Sequence, residues 1–499
     1  MFLGRGKIMK LDGHKIKKII SYTEEHYNLI FLLILAVALF NIFCKITTLN
    51  INFDEARHGI NAYEMLKNKD FIVNTYAYKN DYWNLKPPMS FWMIILGYKL
   101  FGFNMLGLRF FSCLCAVFTI LLVGLFTKRK YGKFASLISL SIISTSTQFI
   151  FFHCARTGEA DALYVLLFTL SVISVMMLHR GNKYLYLSVF FAALAFLTKS
   201  WHAFAILGVI GAYLIFSKKI ILLKLKEWLL LISSFIAPIL LWVVLRIQKD
   251  GFKFFSEMIN YDLINRSAKS LEGHVGGPLY YFMFLFVYSG LWVLLLIMCL
   301  TIYFRNRRSK ERIVLDNCSL ALLLWFLVPI LLYSCAKTKI DWYILPINPP
   351  LAIICGAVFS KFLKELDVKH AAKKVLAIGI VASILIYEGF LCIEIALAKN
   401  DNIEFALKQM GQSRKYSEYR IYTASGYYCK EGTWQQPHLL SAELWCDFKT
   451  VNGGMDKFLE DTSPKTLIFV PYKDYDKDYL DKHNLKIIDS KNGYLLLSH

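Results

Sequence analysis

Several familiar sources of chemistry are missing from this sequence. It has no P-loop, no GxGxxG in strand context, no GxSxG and no HExxH, so nucleotide-fuelled, serine-hydrolase and zinc-protease readings have nothing to rest on. It has no CxxC and no Cys/His metal spacing; its cysteines fall mostly singly inside apolar runs (Cys113, Cys115, Cys299, Cys355), where a thiol acts as a small packing residue. A basic domain is missing too. The formal charge is +21, but Lys and Arg are spread in short clusters between apolar runs, which argues against a nucleic-acid partner and for the positive-inside rule.

What is present is apolar surface. Of 499 residues 56% are hydrophobic and 16% aromatic, and the mean hydropathy is +0.45, values that fit a chain crossing a membrane many times. Runs that can span lie near 28–49, 106–127, 134–152, 159–179, 184–198, 203–217, 227–246, 279–303, 317–335, 342–360 and 374–397. The two around Lys199 are short and read as a broken pair. The clusters KRKYGK, HRGNK, SKKIILLKLK, RNRRSKER and SKFLKELDVKHAAKK, with the basic residues 1–27, are expected on the cytoplasmic side. Residues 1–27 carry no small-residue cleavage site and lead into the first span. The segment 88–101, PMSFWMIILGYKLF, would invert that alternation as a span, so it is placed in the outer interface with Trp83 and Trp92 as anchors.

The outer face then collects the unusual loops: 50–105, HCARTGEAD, TKSWH, 247–278, AKTKIDWY and everything after 398. From 399 the composition becomes polar and aromatic. RIYTASGYY, TLIFVPY and LKIIDSKNGYLLLSH read as strands, and GGMDKFLEDTS and KDYLDKH as helices, which makes residues 399–499 a small extracytoplasmic α/β domain. Cys429 and Cys446 lie in it, where an oxidising compartment permits a disulfide.

The central stretch is INFDEARHGINAYEMLKNKDF, directly after the apolar run Leu29–Leu49. Its acidic pair, Asp54 and Glu55, is by itself an ordinary helix start, because acids favour the first turn. The sequel adds to it: NLKPPMSFW puts Lys86 at the edge of the next apolar segment. Asp161, with Arg156 and Glu159, stands at the outer end of another span. The cations Lys86, Lys199, Arg266, Lys337 and Lys339 flank outer loops as well. Each alone is a snorkelling or surface charge. Together they describe a polar cavity at one membrane face, suited to a phosphate.

DEARHGINAYEMLKNKDF, NLKPPMSFWMIILGYKLFGFNMLGLRFFS, AFLTKSWHAF and AKTKIDWYILPINPPLA, in this order, resemble the GT-C glycosyltransferases of the aminoarabinose-transferase and protein O-mannosyltransferase superfamily, from about residue 30 to 360. The resemblance implies a polytopic α-helical membrane protein of about 11–13 transmembrane helices, with a catalytic outer loop at 50–105 inside a membrane domain 28–398. It implies transfer of a hexose or pentose from a polyprenyl-phosphate carrier to an envelope acceptor (lipid A, glycan or protein) outside the inner membrane. It assigns Asp54 as catalytic base or acceptor-orienting group and Asp161 as a second acid. Arg57, Lys86, Arg266, Lys339 and Tyr343 become donor-phosphate residues, while Glu55, His58, Trp83, Lys199, His202 and His274 are further cavity candidates. The family often has Tyr at His58 and Glu at Leu85; lacking that Glu, the site leaves open whether a divalent metal or an acceptor contact is kept. The competing reading is a carrier or flippase for polyprenyl-linked intermediates, although no internal repeat of paired broken helices, of the kind transporters show, is seen.

Overall fold

The computed structural model describes residues 13–306, 316–366, 368–424 and 432–499. Each of the eleven apolar runs is occupied by helix. Among the described residues seven helices are long and apolar enough to cross a membrane: Met105–Tyr131, Lys183–Phe216, Leu225–Asp250, Tyr280–Asn306, Asn317–Cys335, Asp341–Lys364 and His370–Leu397. An eighth appears if Lys15–Glu25 and Tyr27–Phe43, bent by 81°, count as one.

The difference from eleven has identifiable causes. The run at 134–152 is interrupted by the polar string Ser144–Thr147 and yields Lys133–Ser144 and Thr147–Phe151. The run at 159–179 gives the 16-residue Asp161–Met176. The pair around Lys199 is one stretch, broken by a 3₁₀ turn at Ser200–Ala203 where Ser200 takes φ 49°. Met89–Phe101 has 13 residues, about 20 Å of helix against a hydrocarbon layer of about 30 Å, too short to cross. Several long helices leave apolar side chains uncovered by protein, among them Leu229, Leu241, Leu294 and Leu385, as lipid-facing helices do.

The loop between Tyr27–Phe43 and Met105–Tyr131 builds its own small structure. The helix Phe53–Asn68 starts at Asn52, whose backbone N–H donates to Glu55 at 3.4 Å, and ends at Lys69 in the left-handed region. The hairpin β1 (Thr75–Tyr76) and β2 (Lys79–Asn80) follows. This loop and the C-terminal domain share one apolar cluster: Ile51, Ile60, Met65, Ile94 and Leu108 pack with Leu407, Met410, Leu440 and Phe469. Both therefore lie at the same end of the helical part.

The C-terminal sheet has the order β4-β3-β5-β7-β6, with β3 Arg420–Thr423, β4 Lys449–Thr450, β5 Thr466–Pro471, β6 Lys486–Lys491 and β7 Tyr494–Ser498. β3 runs parallel to β4 and β5; β7 is antiparallel to β5 and β6. Gly454–Glu460 and Lys477–Lys482 are its expected helices. Cys429 lies outside the described residues; the buried Cys446 thiol donates to the Leu407 carbonyl at 2.9 Å.

Candidate functional site

The loop 50–105 and the helix ends beside it enclose a cavity of about 590 Å³. Its wall includes Asp54, Arg57, His58, Trp83, Lys86, Asp161, Lys199, His202, Arg266, His274 and Tyr343. Eleven of the thirteen residues singled out from the sequence thus meet, although they come from five separate stretches of chain.

Asp54 is the partly exposed acid of the first turn of its helix, and its carboxylate has no hydrogen-bond or ion-pair partner among the described residues. Its carbonyl lies 3.0 Å from His58 Nδ1. Burial pushes the His58 imidazole below its ordinary range, so a neutral ring whose Nε2 has no partner among the described residues borders Asp54.

Arg57 is already committed. Its Nε and Nη2 each donate to Asp81 at 2.7 Å, and its guanidinium stacks 3.5 Å from the Tyr76 ring centre and 5.0 Å from that of Trp83. Burial acts to raise the Asp81 carboxyl, but Arg57 outweighs it and holds the group below its usual range. Asp81 also accepts the N–H groups of Trp83 and Asn84. Arg57 thereby fixes one wall of the cavity as a stacked, hydrogen-bonded unit.

On another wall, Asp161 opens a helix and forms a buried ion pair with Lys199, whose ammonium lies 5.6 Å from the Tyr343 ring centre. His202 packs edge-on to Tyr343 at 4.6 Å. His153 lies 2.6 Å from Glu159 through Nδ1 and stacks on Trp342 at 3.7 Å. Burial disfavours the imidazolium, yet the Glu159 carboxylate outweighs burial and holds His153 up at about 9.

Lys86 and Arg266, about 180 positions apart in the chain, converge on one carboxylate that the sequence reading did not single out. Lys86 Nζ lies 3.1 Å from Asp262 Oδ2, and Arg266 Nε 3.1 Å from Asp262 Oδ1. Arg266 Nη1 also donates to the Tyr343 hydroxyl at 3.4 Å. The i,i+4 spacing of Asp262 and Arg266 in NYDLINR was the available signal.

Two expectations need correction. Glu55 does not face the cavity: it is 0% exposed, is gripped by Arg109 at 2.6 and 2.7 Å and accepts the Gly158 N–H at 2.7 Å. Lys339 does not face it either. Its ammonium donates to the carbonyls of Tyr333, Ser334 and Ala336 at 3.1, 2.5 and 2.6 Å, capping the helix Asn317–Cys335, where orphan carbonyls and the negative end of the dipole favour a cation. Arg156 does the same for Tyr27–Phe43 through the carbonyls of Asn41, Ile42 and Cys44. Among the described residues no group of three or more His, Cys, Asp or Glu is placed to hold a metal ion.

Residues 85–242 match the model of the dolichyl-phosphate-mannose-protein mannosyltransferase family. The chain is 30% identical over 326 residues to an uncharacterised protein of Aquifex aeolicus, covering 60% of this chain and 58% of that one. It is 26% identical over 279 residues to undecaprenyl phosphate-alpha-4-amino-4-deoxy-L-arabinose arabinosyl transferase 1 of Pseudomonas fluorescens, covering 54% of this chain and 49% of the relative. The chain spans about half the length of these curated relatives. Its structure superposes on ArnT from Cupriavidus metallidurans bound to undecaprenyl phosphate with a TM-score of 0.67 at 13% identity, over 94% of this chain and 97% of that one. The likeness shows the fold, which is the one the resemblance implied.

Proposed function

We propose that this chain is a GT-C glycosyltransferase that transfers a sugar from a polyprenyl-phosphate carrier to an envelope acceptor at the extracytoplasmic face of the inner membrane. The cytoplasmic side then holds residues 1–27, and the outer side holds 50–105 and 399–499. The observation that carries this reading is the division of one cavity into a carboxylate without a partner among the described residues, Asp54, and a cationic pair, Lys86 and Arg266.

A sugar joined to a lipid phosphate already carries a good leaving group, so its departure needs cations for the developing charge more than a general acid. The bond from the anomeric carbon to the phosphate oxygen breaks, and its electron pair stays on the phosphate beside Lys86 and Arg266. An acceptor oxygen forms the new bond to that carbon, and Asp54 orients its hydroxyl and takes its proton. Attack from the face opposite the leaving phosphate inverts the anomeric centre. One carboxylate and a set of cations suffice, unlike the two carboxyls at fixed separation of a glycoside hydrolase. Trp83 and the stacked His153–Trp342 pair supply flat walls for a sugar ring.

The test is release of free polyprenyl phosphate from a labelled lipid-linked sugar by the purified protein with acceptor present. A transferase releases it, and Lys86→Ala and Arg266→Ala weaken use of the donor. A protein that only moves the intermediate across the membrane leaves the sugar–phosphate bond intact, which would overturn the proposal.

A further inference from the structure

Asp262 lies in an unusually wound place. Residues Met258–Asn265 form a π-helical run, a geometry that recurs at functional sites because the extra residue per turn re-aims a side chain. The result here is a carboxylate with 4% of its side chain exposed, set into the cavity wall between Lys86 and Arg266. Ser200 Oγ donates to its Oδ2 at 3.0 Å from the broken turn where φ is 49°.

The contacts of this carboxylate differ from those of the molecule's structural ion pairs. Arg57–Asp81 and Arg109–Glu55 close at 2.6–2.7 Å in two-point clasps, the range of strong charge-assisted hydrogen bonds. Lys86 instead straddles Asp262 at 3.1 and 3.3 Å, and Arg266 approaches it at 3.1 Å. The rest of the Arg266 fork reaches Tyr343 and Glu272 at 3.4–3.5 Å. Two cations are therefore held near one point by an anion that neither clasps tightly. Burial acts to raise the Asp262 carboxyl, but the two cations outweigh it and keep it below its usual range, so it is charged at neutral pH.

The proposed reaction supplies a reason for such an anion. The donor is a phosphodiester with one negative charge; the carrier left behind is a monoester with a charge of about −1.5 to −2. Cations arranged to stabilise the leaving phosphate therefore hold the product more firmly than the substrate, and product release sets the turnover of many enzymes. We infer that Asp262 is a built-in competitor of the carrier phosphate: it keeps Lys86 and Arg266 converged while the site is empty, yields them to the phosphate, and reclaims them to expel the product. This rests on the proposed function. Asp262 touches no reacting atom in this scheme and is a positioning residue.

The experiment measures binding of undecaprenyl phosphate and of the uncharged undecaprenol to the purified full-length protein in detergent. Asp262→Asn keeps the shape and removes the competing charge, so it binds undecaprenyl phosphate about tenfold more tightly, the size of one charge-assisted contact, and binds undecaprenol as the wild type does. Ser200→Ala, which frees one carboxylate oxygen and so strengthens the competing anion, shifts binding the opposite way, weakening undecaprenyl phosphate by about threefold. Product inhibition deepens in Asp262→Asn and eases in Ser200→Ala. Unchanged or weaker binding of the phosphate by Asp262→Asn overturns the inference and leaves Asp262 as a plain structural anchor. If wild type and Lys86→Ala both bind undecaprenyl phosphate no better than undecaprenol, the carrier-phosphate reading itself falls, a result distinguishable from the first.

Discussion

Arg109 grips Glu55 through both Nε and Nη2, at 2.6 and 2.7 Å, while its Nη1 donates to the carbonyls of Ile46 and Thr48. The neighbouring Asp54 has no such partner. Adjacent residues on a helix point about 100° apart, and that rotation sends one acid into the protein and the other into the cavity.

Removing one member of a buried pair leaves the other charge unpaired, at a cost of about 3–5 kcal/mol. Glu55→Gln therefore melts at a clearly lower temperature than the wild type in detergent, whereas Asp54→Asn melts with it. Equal melting of all three proteins would mean that the Glu55–Arg109 pair does not hold the outer loop.

Lys339 and Lys86 separate in the same way. Lys339→Ala frees three carbonyls at the end of Asn317–Cys335 and lowers thermal stability with little change in donor affinity. Lys86→Ala does the reverse, weakening the donor by about 1.5–3 kcal/mol, one hydrogen bond to a charged group. A Lys339→Ala protein that folds normally and loses the donor would restore Lys339 to the phosphate site.

The contact between the loop 50–105 and the C-terminal domain contains two buried carboxyls, Glu64 and Glu443. Burial pushes Glu64 up to about 7, against the Tyr78 N–H that donates to it at 3.0 Å. Glu443 is raised well above the ordinary 4.5, first by burial and then by Glu64 beside it, with Asp447 adding to the shift and Lys67 opposing it. The folded protein thus holds protons that the unfolded chain gives up above about pH 4.5. Their contribution to stability is full below that pH and is lost as the pH rises through about 7. Glu443→Gln makes one partner permanently neutral, so it raises the melting temperature at pH 8 and changes it little at pH 5. A shift of the same size at both pH values would contradict the paired burial.

Much of this was legible in the sequence. The apolar runs marked every long helix, and the order DEARHG, LKPP, TKSWH, KTKIDWY placed most of the cavity before any coordinates. The rest required three dimensions. The span count depended on where helices break, as at Ser144–Thr147, and hydropathy averages over such a break. Lys339 and Lys86 look alike as cations at the edge of apolar segments, yet one meets carbonyls at a helix end and the other a carboxylate. Asp262 and Asp81 were passed over because an acid in a polar loop looks solvated until its partners from distant segments are known.

The central claim is that Asp54 acts on the acceptor while Lys86 and Arg266 hold the carrier phosphate. Transfer of a labelled sugar in membranes carrying Asp54→Asn tests it most directly, with protein level and undecaprenyl-phosphate binding measured alongside. The account predicts a fall in turnover of about two to four orders of magnitude with insertion and carrier binding unchanged. Turnover near that of the wild type would contradict it.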